Sequence, residues 1–257
     1  MKLNVLVIPG DGIGPEVTRE AVGVLEHVAG KWGHELRLTE ALLGGAAIRK
    51  TGGPLPEETK RAALEADATL LGAVGLPEFD ELPAERRPEK GLLGLRKAMD
   101  VFANLRPVVA YGSLLDSSPL KNDIVRGTDM LIVRELTSGI YFGDPRGINE
   151  RDGEPVGVNS MVYRKSEIER IVRMAFALAE KRRRKLTSVD KANVLECSQL
   201  WRQVVEDVAG DFPRVELDHV FVDNCAMQLI LNPRRFDVIV TGNMFGDILS
   251  DEGAVLA

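Results

Sequence analysis

The feature that most constrains this chain is a strand–helix–strand alternation set from its first residues. Leu3 to Ile8 is a short apolar run stopped by Pro9-Gly10, and it reads as a buried strand. Pro15 suits the first turn of a following helix. Val17, Ala21, Val24, Leu25 and Val28 then recur on one face of that helix. Gly44-Gly45 and Gly52-Gly53-Pro54 mark loops, residues 57–66 a short helix, and Ala68 to Val74 a second buried strand. Such an opening indicates an α/β domain with a largely parallel sheet. The 257 residues allow one large domain or two ordinary ones.

Farther along, Pro77, Pro83 and Pro88 make residues 75–90 a long exposed loop of the kind that often carries function. A helix is expected from Leu92 to about Phe102, and Met130 to Val133 is a strand. Residues 143–160 are polar and rich in Gly and Pro, a surface excursion. Ser166 to Glu169 reads as a capping box opening a helix whose buried face carries Ile168, Ile171, Val172, Ala175, Phe176 and Ala179. The basic run Lys181 to Lys185 closes it, and cations there favour the helix dipole while staying solvated. Leu186 to Val189, Val215 to Val222 and Phe236 to Val240 are strands. Leu200, Val204 and Val208 mark a helix, and Gly242 opens another.

Composition removes several classes. With 33 Lys+Arg against 39 Asp+Glu the formal charge is −6, so no general nucleic-acid surface is expected. No apolar run approaches the ~18–20 residues that span a bilayer, and the opening run is too short for a signal peptide. Cys197 and Cys225 form no CxxC pattern, and a reducing cytoplasm is the expected setting. The last helix stops without a cap, which suggests a fragment of a longer protein.

Four groups of residues could carry chemistry. Gly10-Asp-Gly-Ile-Gly-Pro15 resembles a dinucleotide fingerprint, but its sixth position is proline. It is either a tight strand-to-helix turn or a place where backbone approaches a ligand. Asp247 and Asp251 share a helix face at i, i+4, a repulsive spacing that makes sense around a divalent cation. Asp223 could add a third oxygen, and oxygen ligands alone suit Mg²⁺ or Mn²⁺; all three could equally be exposed caps. Arg96 and Arg106 flank a predicted helix, and Arg134 follows a buried strand. Guanidinium forks grip carboxylates, so three with a metal would suit a di- or tricarboxylate. Lys191, held among cations, could act as a base, with Tyr141 as a proton donor; Tyr141 could equally be a half-buried strand aromatic.

Together these segments resemble the metal-dependent β-decarboxylating dehydrogenases. The resemblance rests on GDGIGPEV (10–17), GLLGLRK (91–97), FANLRP (102–107), RELTSGIYFG (134–143), SVDKANVLE (188–196), VDNCAM (222–227) and TGNMFGDILSD (241–251). It implies a two-domain α/β fold with a central mixed sheet, not a Rossmann fold. Residues 1–101 with 252–257 would form the first domain, and 102–251 the second, carrying the dimer contact. By the same resemblance Arg96, Arg106 and Arg134 bind substrate carboxylates. Asp223, Asp247 and Asp251 hold Mg²⁺ or Mn²⁺, with Asp223 reaching in from the partner of a homodimer. Lys191 is the base and Tyr141 the acid. NAD⁺ lies along the 75–89 loop at Gly75, Leu76 and Pro77, with Glu89 and Asn193 near the nicotinamide. Two positions depart from the family pattern: Leu76 replaces a common glycine, and Glu78 a frequent lysine.

Substrate choice within the family turns on the residue facing the variable group. This chain presents Leu92 and Leu93. Burying an isopropyl group there gains on the order of 2 kcal/mol at ~0.8 kcal/mol per CH₂, and an unpaired carboxylate loses several kcal/mol. The expected reaction is therefore oxidative decarboxylation of 3-isopropylmalate, a step of leucine biosynthesis. Isocitrate, homoisocitrate or tartrate are the alternatives within the family, and an inactive fragment that binds metal or dimerises is the alternative outside it.

Overall fold

A computed structural model describes residues 1–256, and the chain divides into two compact units, Met1–Asp100 and Val101–Ala257. The first unit runs β1 (Lys2–Gly10), α1 (Gly14–Lys31), β2 (Glu35–Glu40), α2 (Gly45–Thr51), α3 (Glu57–Glu65), β3 (Ala68–Ala73) and α4 (Pro88–Ala98). Its sheet has the order β2-β1-β3, parallel throughout. Leu6 and Ile8 on β1 pack with Leu43, Ala63 and Leu95. Two 3-10 turns, Pro77–Phe79 and Ala84–Arg86, punctuate the proline-rich loop. Helix α4 begins at Pro88, four residues before the expected start, because proline fits its first turn.

The predicted face of α1 is a correction. Val17, Val24 and Val28 are exposed, and Gly14, Thr18 and Ala29 are buried instead. The reason is close packing of α1 over β1 and β3. A Cβ on Gly14 would sit 2.1 Å from the Pro9 carbonyl oxygen, so only small residues fit that side.

The second unit contains β4 (Ala103–Val109), α5 (Asn122–Val125), β5 (Asp129–Glu135), β6 (Arg146–Arg151), β7 (Glu154–Asn159), α6 (Lys165–Glu180), β8 (Lys185–Asp190), α7 (Glu196–Ala209), β9 (Glu216–Phe221), α8 (Val222–Leu231), β10 (Val238–Thr241) and α9 (Asn243–Ala254). Its five-stranded sheet has the order β4-β5-β10-β8-β9. Edge strand β4 is antiparallel to β5 and the rest are parallel, which makes the expected mixed sheet. One apolar layer joins α6 and α7 to the sheet through Ile168, Phe176, Trp201 and Val205. The other joins α8 and α9 through Leu229 and Leu249. The 143–160 excursion is a separate, largely exposed β6–β7 hairpin.

Three local expectations change. The carboxylate that caps α6 is Glu167, accepting the Arg164 N–H at 2.8 Å, while Glu169 pairs with Arg173. The basic run after α6 is not merely solvated. Arg182 and Arg183 bond the buried Asp237 and the Asp129 carbonyl, tying the helix end to β5 and β10. Residues 252–256 pack on the second unit, where Leu256 is buried beside Val108 and Ile132; Ala257 lies outside the described residues. No described helix is long and apolar enough to cross a membrane.

Candidate active site

The carboxyl ends of β5, β10, β8 and β9 lie side by side, and ligands of open α/β sheets bind outside such ends. Arg134 is the penultimate residue of β5, paired with Thr241 at the end of β10. Thr241-Gly242 then starts α9, which carries Asp247. Lys191 directly follows β8, and Asp223 lies in the first turn of α8 after β9.

Arg134 is almost fully buried, and its charge is met on two sides. Its Nε and Nη2 donate to Asn243 Oδ1 at 3.0 and 2.9 Å, and its Nη1 donates to Asp247 Oδ1. Asn243 in turn donates Nδ2–H to the Ser138 carbonyl at 3.2 Å and its backbone N–H to the Tyr163 hydroxyl at 2.8 Å. Gly246 makes room for the guanidinium stem: a Cβ there would come within 2.7 Å of Arg134 Cβ and Cγ.

Tyr141 sits on a 3-10 turn, Gly139–Tyr141, not on a strand. Its hydroxyl donates to Asp247 Oδ2 at 2.7 Å. Burial, reinforced by that carboxylate, holds the phenol above its usual pKa, so it keeps its proton near neutrality. The turn is set by Glu135, whose carboxylate accepts from Thr137 N–H and Oγ1–H at 2.7 Å and from Ser138 N–H at 3.0 Å.

A second cluster lies at the β8–β9 end. Lys191 Nζ donates to Asp223 Oδ1 at 2.6 Å. That hydrogen bond holds the exposed Asp223 below the usual carboxylate range. The lysine is therefore beside a carboxylate, not among cations as expected, because the turn after β8 faces the first turn of α8. Asn193 is exposed two residues on. Asp251 is exposed one turn beyond Asp247 on α9. Among the described residues no three His, Cys, Asp or Glu side chains are gathered closely enough to hold a metal ion. Asp223 is thus not assembled with Asp247 and Asp251 within one chain.

Arg106 lies inside β4, not beside a helix. It is exposed and donates Nε–H to Asn104 Oδ1 at 2.8 Å. In the first unit, Leu92, Leu93 and Arg96 all lie on α4 and are half-buried, with Leu92 packed against the core. Gly75 and Glu89 are adjacent: a Cβ on Gly75 would be 2.9 Å from Glu89 Oε1. Asn243, Tyr163 and Glu135 have no spacing signal in the sequence. Glu135 closes β5 beside Arg134, while only the fold brings Asn243 and Tyr163 to that arginine.

A mixed α/β sheet whose carboxyl edge gathers a buried arginine, a proton-holding tyrosine, a lysine and acidic oxygens has the make-up of an enzyme acting on an acidic small molecule. The chain belongs to the isocitrate/isopropylmalate dehydrogenase family, whose profile matches residues 4–257. It is 57% identical over 255 residues to the 3-isopropylmalate dehydrogenase of Aquifex aeolicus, covering 99% of this chain and 70% of that protein. It is 60% identical over 254 residues to the enzyme of that name from Geobacillus kaustophilus, covering 99% and 68%. Among solved structures it resembles isocitrate dehydrogenase from Methylococcus capsulatus, with a TM-score of 0.84 and 33% identity, over 99% of this chain and 70% of that one.

Proposed function

We propose that this chain carries out the NAD⁺-dependent oxidative decarboxylation of 3-isopropylmalate to 4-methyl-2-oxopentanoate in leucine biosynthesis, as a cytoplasmic homodimer. The observation that carries the chemistry is the convergence of Arg134 and Tyr141 on Asp247, with Lys191 beside Asp223. The relatives named 3-isopropylmalate dehydrogenase, 57–60% identical, support the substrate, as do the apolar Leu92 and Leu93 on α4. Two free cysteines fit a reducing compartment.

The donor set fits a hard divalent cation. Asp247 and Asp251 offer carboxylate oxygens one helical turn apart, and Asp223 offers a third from elsewhere. The separation of Asp223 from the other two within one chain supports a site completed by a second copy. Bound Mg²⁺ or Mn²⁺ supplies Lewis-acid polarisation of substrate oxygens, and NAD⁺, held along Gly75, Leu76, Pro77, Glu89 and Asn193, supplies the hydride acceptor.

The chain's own residues do the rest. Arg96, Arg106 and Arg134 hold the substrate carboxylates. The fixed guanidinium of Arg134 presents its charge without reorganisation, since Asn243 already orients it. The Lys191–Asp223 pair takes up the proton of the C2 hydroxyl as the C2 hydride leaves. The C3 carboxylate then departs as CO₂, and its bonding electrons pass toward the C2 carbonyl. Tyr141, whose phenol is kept protonated, gives its proton to C3 and completes the 2-keto acid. The test is NADH formation with 3-isopropylmalate and with isocitrate, each with Mg²⁺ and Mn²⁺. A preference for 3-isopropylmalate by orders of magnitude in kcat/KM is expected. Equal rates with both substrates overturn the substrate reading.

A further inference from the structure

The Gly10–Pro15 turn has no part in the chemistry above, yet its carboxylate is one of the most engaged in the first unit. Asp11 is 3% exposed. Its Oδ2 accepts the backbone N–H of Gly45 at 2.8 Å and of Gly75 at 3.0 Å. Its Oδ1 accepts the Ala46 N–H at 2.8 Å, and its own N–H donates to the Ala73 carbonyl at 2.7 Å. One side chain thus joins three segments: the turn after β1, the start of α2, and the loop after β3.

The same helix α2 grips that loop farther along. Arg49 Nε donates to Glu78 Oε1 at 2.9 Å, and its guanidinium lies over the Phe79 ring, 5.8 Å from the centroid. Gly45 admits that ring, since a Cβ there would be 2.4 Å from Phe79 Cε2. The loop is therefore held at Gly75 by Asp11 and at Glu78 and Phe79 by Arg49, with Leu76 and Pro77 between the two anchors. Gly75 itself holds a φ of +122°, which L side chains rarely adopt, and the Asp11 bond keeps its amide in that orientation.

We infer that Asp11 and Arg49 are positioning residues for the dinucleotide, fixing the Gly75–Phe79 loop in the conformation that receives it. The inference rests on the reading above, in which this loop lies along NAD⁺. Asp11 fixes the amide where the loop begins, and Arg49 holds its far end and answers the charge of Glu78. Without Arg49, an unpaired carboxylate stands on a loop that must approach an anionic diphosphate. The Arg49–Glu78 pair is half exposed, so it adds little to global stability. Its effect is on loop position and local charge.

The experiment uses the full chain and NAD⁺ itself. Titration calorimetry with NAD⁺ is run on the native protein, Asp11→Asn, Arg49→Glu, Glu78→Arg and the exchanged pair Arg49→Glu/Glu78→Arg. Deuterium uptake of peptides spanning residues 74–82 is followed in the same proteins. Loss of one or two hydrogen bonds at the loop predicts NAD⁺ binding weaker by about tenfold or more in Asp11→Asn and Arg49→Glu. Faster uptake at 74–82 should accompany it. The exchanged pair should recover both, and the thermal midpoint of Arg49→Glu should stay native. A merely structural role for Arg49 would move that midpoint and leave NAD⁺ affinity alone, which overturns the inference. So does unchanged uptake at 74–82 in both Asp11→Asn and Arg49→Glu, or faster uptake with native affinity. A native protein that takes up no NAD⁺ refutes the cofactor reading itself, and the inference falls with it.

Discussion

Asn243→Ala tests whether the Arg134 network is an energetic unit. The substitution removes the oxygen that accepts two guanidinium N–H groups and the amide that donates to Ser138. It leaves the backbone bond from residue 243 to Tyr163 and the Arg134–Asp247 contact in place. Hydrogen bonds to a charged partner contribute about 1.5–3 kcal/mol each. The two share one acceptor, and water can enter the small void left behind. We therefore expect a loss of about 2–4 kcal/mol from the second unit. That is a large part of a typical ~5–15 kcal/mol of stability but leaves the protein folded. For a unit of this size it lowers the midpoint by roughly 5–15 °C. Trp201 reports on that unit: it is buried and donates Nε1–H to Ser188 Oγ at 3.2 Å. The assay is urea and thermal unfolding followed by the red shift of its emission, together with KM for 3-isopropylmalate. Native stability with native KM would refute the argument that Asn243 holds Arg134.

Three further outcomes follow from the geometry. Tyr141→Phe should lower kcat by about 10²–10⁴, the usual worth of a positioned proton donor, with little change in KM; an unchanged kcat would reduce Tyr141 to packing. Leu92→Ser should narrow the preference for 3-isopropylmalate over isocitrate, read as a ratio of kcat/KM values, and an unaltered ratio would remove Leu92 from the substrate pocket. Burial pushes the Cys225 thiol up to about 12 from an ordinary 9.0. The folded thiol therefore keeps its proton where the unfolded one has lost it, and stability should decline as pH climbs from 9.0 toward 12. At pH 8 native Cys225 should resist iodoacetamide and react only on unfolding, and mass spectrometry of prompt alkylation there would contradict its burial.

Much of the parallel framework is legible in the sequence because its strands are short, mostly apolar runs, LNVLVI for β1 and VIVT for β10, although LTSV of β8 sets two buried hydroxyl residues between Leu186 and Val189. The exposed hairpin strands β6 and β7 are not, nor are two others. Glu35–Glu40 alternates Leu with charged and polar residues and pairs on one side only, as an edge of its sheet. Ala103–Val109 contains Arg106 and Pro107, and it is tolerated because β4 is an antiparallel edge, where a proline need not donate. The stripe of valines on α1 misled for a different reason. Periodicity finds a face but does not say which face meets the sheet, and here close approach selected Gly14, Thr18 and Ala29. The charged and acid–base candidates were legible as residue types at spacings. Their partners were not: Asn243 meets the Arg134 side chain from 109 residues away, and Tyr163 meets the Asn243 backbone from 80 residues away. No local pattern encodes that.

The division between the Arg134–Tyr141–Asp247 cluster and the Lys191–Asp223 cluster has a genetic consequence. If two copies complete each site, one supplying the acid half and the other the base half, then two dead alleles can restore each other. Refolding Lys191→Ala and Tyr141→Phe chains together in equal amounts yields mixed dimers as half of the population. Each mixed dimer holds one site made of two intact halves and one made of two damaged halves. About a quarter of native activity should return, far above what either parent shows alone. A cell carrying both alleles would grow without leucine where each single mutant could not.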